Sequence, residues 1–142
     1  MKILSKKSLY IIMGSMVFFL SCDQYVSRDY RIVNISKYEI KFDFIHDNEM
    51  PYYQLNLSDF DNKYDFRFDN KGIKESDLHP YIILNADSVN VVFNDSTYLP
   101  FSASLSSDRN ILLNDAYEID KGGVYVYTIT DDDFAQSIPL PN

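Results

Sequence analysis

The chain has 142 residues, 13 basic and 21 acidic, with 12 Tyr, 10 Phe, no Trp and a single Cys. Its formal charge of −8 excludes a nucleic-acid surface and binding to anionic lipid through charge. The apolar and aromatic content excludes disorder outside the ends, and one Cys excludes an intramolecular disulfide.

The first element is Lys2 to Cys22, KILSKKSLYIIMGSMVFFLSC. A basic start (Lys2, Lys6, Lys7) precedes an apolar run from Leu9 to Leu20 that is too short to span a bilayer comfortably, and a small residue, Ser21, precedes Cys22. Phe19-Leu20-Ser21-Cys22 resembles the lipobox of bacterial lipoproteins, with Phe19 where Leu is usual. That resemblance implies cleavage before Cys22, a diacylglyceryl thioether on its sulfur and an acyl group on its new amine. Two or more chains anchor stably where one is marginal. Removal of residues 1–21 leaves 121 residues, enough for one domain, and a balance of 10 basic against 21 acidic, a net charge of −11.

Asp23 to Asp29 is polar and is expected to be a tether, so that residues 22–29 form a lipidated spacer before a domain over 30–142. Tyr30 to Ile35 is rich in β-formers. Lys37 to Ile45 alternates, with Tyr38, Ile40, Phe42 and Phe44 on one face, and the two segments suggest a hairpin around Asn34 to Ser36. After a turn-forming His46 to Pro51 come a short strand over Tyr52 to Leu57 and an alternating strand over Tyr64 to Asp69. In the latter, Tyr64, Phe66 and Phe68 face inward.

Asn70 to Pro80 is expected to be loop. Tyr81 to Leu84 and Val89 to Phe93 read as well-buried strands, the second returning through Asn94-Asp95-Ser96 to a strand over Thr97 to Phe101. Pro100 belongs on an edge of that strand, because it lacks an amide donor. Loop over Ser102 to Asn110, local packing of Ile111 to Leu113 and a brief strand at Tyr117 to Ile119 follow. Lys121-Gly122-Gly123 turns into a strand over Val124 to Thr130. Thr130 followed by Asp131, Asp132 and Asp133 predicts a short terminal helix, capped by Thr130 and favoured by acids at its start. Many short strands with little helical periodicity predict an all-β fold: a single Ig-like sandwich of about seven strands with a short C-terminal helix.

Candidate chemistry is sparse. The acids of Asp59 to Asp65 suggest a calcium loop, but Lys63 or Arg67 falls where a ligand is needed. His46 with Asp47 and Glu49 is the nearest approach to a zinc set, and a solvated turn explains it better, so no metal or other cofactor is expected. No Gly-x-Ser-x-Gly or Ser-x-x-Lys motif is present, and the reading is of a chain that is not an enzyme. Tyr52 and Tyr53 cannot both point inward from an extended segment, which makes them the candidates for stacking on a ligand.

Beyond the lipobox, Tyr30 to Ile35, Ser88-Val-Asn-Val-Val-Phe-Asn-Asp-Ser96, Asp108-Arg-Asn-Ile-Leu112 and Val124 to Ala135 together resemble small lipoproteins of Bacteroidetes, a group without an assigned activity. The resemblance covers most of the mature chain and implies an outer-membrane location, with periplasmic or surface facing open. It also implies that Asp87-Ser88-Val89 and Asp95-Ser96-Thr97 match the O-glycosylation sequon of exported proteins there, at Ser88 and Ser96. Plain turn chemistry explains both triplets equally. The function expected is a non-enzymatic binding or scaffolding module. Its partners would be the membrane, through lipid on Cys22, and an envelope protein or glycan; the alternative is a glycan-binding accessory of a nutrient-uptake system.

Overall fold

A computed structural model describes residues 25–47, 53–57, 62–71 and 74–141. Among them are nine strands in two sheets. These are β1 (Tyr25–Asn34), β2 (Ile40–Ile45), β3 (Tyr53–Leu57), β4 (Asn62–Lys71), β5 (Ser88–Phe93), β6 (Thr97–Ser102), β7 (Glu118–Ile119), β8 (Tyr125–Ile129) and β9 (Ile138–Pro139). One sheet has the order β4-β1-β8-β7 and the other β3-β2-β5-β6-β9. The two α-helices among the described residues are α1 (Pro80–Leu84) and α2 (Asp131–Ala135). The all-β sandwich with a short C-terminal helix is as expected, with nine strands in place of about seven.

β1 is the centre of the first sheet, antiparallel to β4 over its whole length and parallel to β8 from Tyr30 onward. Within the described residues it runs from Tyr25, so residues 25–29 of the stretch expected to be a tether are strand. The polar sequence over 25–29 conceals this because Ser27 and Asp29 face solvent while Val26 and Arg28 are buried.

The expected β1–β2 hairpin does not form: the two strands lie in different sheets. Asn34, fully buried, directs the crossing. Its side-chain oxygen accepts the Ser36 N–H at 3.0 Å and the Ser36 hydroxyl at 2.7 Å, and its amide donates to the Tyr38 carbonyl at 2.8 Å. A side chain that satisfies its own backbone lets the chain turn in the interior without orphaned polar groups.

Tyr81 to Leu84 is also corrected, from strand to helix. Pro80 occupies the start of α1, where its missing N–H is no loss, and Asn85 closes the helix in the left-handed region at φ 48°. A four-residue apolar run reads alike as strand or helix, and here the flanking Pro and Asn decide.

The interior lies between the sheets. Tyr30, Ile32, Tyr127 and Ile129 come from one, Ile40, Phe42, Phe44, Val89, Val91 and Phe93 from the other, and Ile111, Leu112 and Tyr117 fill one side. Tyr30 stacks on Phe66 at 5.1 Å between ring centroids and meets Tyr117 edge-on at 5.4 Å. Each deep phenol finds an acceptor: Tyr30 donates to Asn114 Oδ1 at 2.9 Å, Tyr117 to the Ile111 carbonyl at 2.8 Å and Tyr127 to the Arg109 carbonyl at 2.9 Å. The rings thus add apolar area without unpaired hydroxyls.

Phe42 is fully buried, and cutting such a side chain to Ala costs about 3–5 kcal/mol, against a total stability of about 5–15 kcal/mol. Phe42→Asp adds a buried charge to that loss and is expected to abolish the cooperative thermal transition. A soluble variant melting like the parent would show that the strand phase is wrong.

Burial raises the Tyr30, Tyr117 and Tyr127 hydroxyls above their ordinary value of 10.0. The folded state therefore holds these protons more tightly than the unfolded chain. The resulting stability is complete below pH about 10 and is lost as pH rises toward the folded values. In an alkaline titration followed by phenolate absorbance and circular dichroism, part of the tyrosine signal should appear together with unfolding; phenolate formation complete before any loss of structure would contradict this.

Candidate functional site

The residues singled out in the sequence are dispersed over the fold. Cys22 and Tyr52 lie outside the described residues, as do Asp59, Asp61 and Glu49. Tyr53 opens β3 and is 42% exposed, its ring stacked on buried Phe44 at 5.7 Å and 24°. Among the described residues whose side chains are placed, it is the only large aromatic that is exposed. Its hydroxyl region meets Tyr64, whose own hydroxyl is raised by burial and by the hydrogen bond with Tyr53.

Ser88 and Ser96 sit at opposite ends of the β5 segment. Ser88 begins the strand, half-buried, between Ile45 and Ser102 of the neighbouring strands. Ser96 closes the turn in which Asn94 (φ 48°) and Asp95 (φ 50°) are both left-handed. It is exposed, and its hydroxyl donates to the Phe93 carbonyl at 3.0 Å. Asn and Asp are the non-glycine residues best suited to such a turn.

Asp65 is not part of a loop. It lies in β4 directly opposite Arg31 of β1, and the two are joined at 2.5 and 3.1 Å by a bidentate pair on the solvent face. The hydrogen bond from Arg31 holds the Asp65 carboxyl below its usual value. His46 is brought together with Asp47, as its sequence position requires, and with Asp87, which sequence spacing does not suggest. Its Nε2 is 3.5 Å from Asp47 and its Nδ1 3.3 Å from Asp87, while Asp87 Oδ2 also accepts the Asp47 N–H at 2.8 Å. The donor atoms of the three lie within 4.8 Å of one another, and both carboxylates are exposed. Together with the Asp87 N–H donating to Ile45 at 2.9 Å, these contacts tie the turn after β2 to the start of β5.

A further site, which sequence reasoning missed, lies along β6. A cavity of about 530 Å³ opens between the outer half of β6, the loop over 105–110 and α2, with Leu99, Phe101 and Leu105 as its apolar lining and Arg109 and Asp133 at its polar end. Arg109 donates through Nη2 to Asp133 Oδ2 at 2.6 Å and to the Thr128 carbonyl at 2.8 Å, and through Nε to Asp133 Oδ1 at 3.2 Å. Its guanidinium also lies 4.8 Å from the centre of the Tyr127 ring. Burial alone would lower the Arg109 pKa; the hydrogen bond to Asp133 and the neighbouring groups outweigh it and hold the pKa above its ordinary value. Asp133 in turn accepts the Thr130 N–H at 2.8 Å and the Thr130 hydroxyl at 3.1 Å, completing the cap of α2. The run Thr130 to Asp133 signals the cap in the sequence; that Arg109 supplies the counter-charge is a tertiary fact that no local pattern carries.

No family model, curated protein or solved structure matched the chain.

The Asp133 side chain is 4% exposed and that of Arg109 43%. Arg109→Met, which keeps the aliphatic stem, should therefore cost about 2–3 kcal/mol, the low side of what breaking a buried pair costs because one partner is half in water. The paired change with Asp133→Asn should cost less than the two single changes added together. Denaturant midpoints of the three variants check this, and simple additivity would show that the pair is not coupled.

Proposed function

We propose that the chain is a lipoprotein, anchored through Cys22 to the outer membrane of a bacterial envelope, whose domain is a non-enzymatic binding or scaffolding module. The observation that carries the reading is the conjunction of Lys2, Lys6 and Lys7, the apolar run ending at Leu20, and Ser21-Cys22, with the only cysteine of the chain at the processing point. The resemblance to small Bacteroidetes lipoproteins points the same way. Dispersal of the polar clusters also favours a binding or scaffolding role. Arg31–Asp65 lies on an open sheet face, His46–Asp87 ties a turn, and Asp133 is consumed in capping a helix, so each has a structural duty.

A glycan-binding role is the second reading, and Tyr53 is the feature that favours it. Its ring lies exposed and nearly parallel to Phe44, as a sugar-stacking platform would. Two or three exposed coplanar rings in a groove would be the fuller form of such a surface.

With Cys22→Ser, cells fed labelled palmitate should show no label on the protein. The same change placed behind an ordinary cleavable signal should also move the domain from the membrane to the soluble fraction. Undiminished labelling, or unchanged fractionation of the second form, would defeat the anchor reading.

A further inference from the structure

We infer that the end of the sandwich formed by the start of β1 and the end of β4 is held facing the lipid surface, and that the opposite end, carrying Lys37, Glu39, Asn94 and Asp131, points away from it. The inference rests on the anchor reading of Cys22 and adds to it the direction in which the domain is displayed.

The reach of the tether carries the inference. Only Asp23 and Gln24 separate Cys22 from Tyr25, the first residue of β1. Three Cα–Cα steps span at most about 11 Å even when fully extended, so Tyr25 stays close to the bilayer whatever those two residues do. Tyr25 pairs with Lys71 at the end of β4, and Lys74 follows three residues later, so that corner is tied to the same place by backbone pairing.

From there β1 runs ten residues to Asn34, a length of about 33 Å. At its far end Asn34 holds the crossing to Tyr38, the Lys37 N–H meets Asp131 at 3.2 Å, and the Glu39 N–H meets Asn94 at 2.9 Å. The far loops therefore form one connected surface. A spacer of about eight flexible residues, as expected from the sequence, would leave the domain free to tumble, since such a coil spans about 15 Å on average and more at full stretch. Continuation of the strand back to Tyr25 shortens that leash and narrows the freedom. In this proposal the lipid is engaged through the tether and not through charge: among the described residues the corner carries Asp29 and Asp69 as well as Arg67, Lys71 and Lys74, a mixture of signs.

Energy transfer in vesicles tests the orientation. Lys74→Cys and Lys37→Cys each place one thiol on an exposed lysine position, and Cys22, blocked by lipid, does not compete for the dye. The lipidated full-length proteins are labelled with a donor fluorophore and reconstituted into phosphatidylcholine vesicles carrying an acceptor on a headgroup. Transfer from position 74 should exceed that from position 37 several-fold. Insertion of a Gly/Ser linker of about fifteen residues after Gln24, spanning about 20 Å, should largely remove the difference. Equal or reversed transfer from vesicle-bound protein would overturn the orientation while leaving the anchor intact. Failure of the unmodified lipidated form to enter vesicles would overturn the anchor reading and the orientation with it.

Discussion

Two parts of the chain meet on the carboxylate of Asp133, and a third is tied in through Arg109. The Thr130 backbone and hydroxyl bind it from the start of α2, and Arg109 binds it from the loop that follows β6, while the same guanidinium reaches back to Thr128 in β8. An ionised carboxylate withdrawn from water is tolerated only when its acceptor sites are filled and its charge compensated. Meeting that condition forces the loop, the last long strand and the terminal helix into one arrangement. Phe134, next in the chain, is thereby placed against Tyr38, with ring centroids 3.8 Å apart, and against Phe93, so the polar junction also seats an aromatic lid over one end of the core.

The opposite end is closed by a second polar junction built on the same rule. Arg28, buried on the inner face of β1, donates to the Leu78 carbonyl at 3.2 Å and lies 4.5 Å from the centre of the Tyr125 ring. Asn114 donates to that same carbonyl and accepts from Tyr30. A domain without a disulfide must hold its loops by noncovalent means, and here hydrogen bonds from buried side chains to loop carbonyls do so. Between the two junctions the core is aromatic, and the buried phenols of Tyr30, Tyr117 and Tyr127 each reach a polar acceptor. Large rings with few rotatable bonds lose little entropy for the area they bury, which suits a chain of this size.

How much of this was legible in the sequence follows from the range of each interaction. Strict alternation located β2 and β4, because the period of two reports directly which face is buried, and Ile40, Phe42 and Phe44 are indeed inside. The β5–β6 turn was legible in Asn94-Asp95 and the α2 cap in Thr130 and the acids after it, both local signals. The failures are where a local pattern was ambiguous or a long-range one decided. The stretch 25–29 reads as polar, yet it pairs along 67–71; Asn34 to Ser36 reads as a hairpin turn, yet the buried Asn34 makes it a crossing between sheets. Arg109 and Asp87, which complete the two side-chain clusters, are 24 residues from Asp133 and 41 from His46, distances over which spacing says nothing. The anchor reading depends on sequence alone, since Cys22 precedes the first described residue.

The distribution of charge and proline has a further reason in the edges of the sheets. β4 is a ten-residue strand on the outside of its sheet, a form that invites pairing with another chain. It carries Lys63, Asp65, Arg67 and Asp69 outward, and Asp65 and Arg67 are tied across to Arg31 and Asp29, so an approaching strand would have to displace paired, hydrated charges. On the other sheet β9 covers β6 only at Thr97 and Tyr98. Beyond that point the outward-facing backbone belongs to Pro100, which has no N–H to offer, and to Ser102, whose carbonyl is taken by the Asn110 amide at 2.7 Å. The residues that look like scattered polarity in the sequence therefore guard β4 and the uncovered stretch of β6, where edge-to-edge association with another chain would begin.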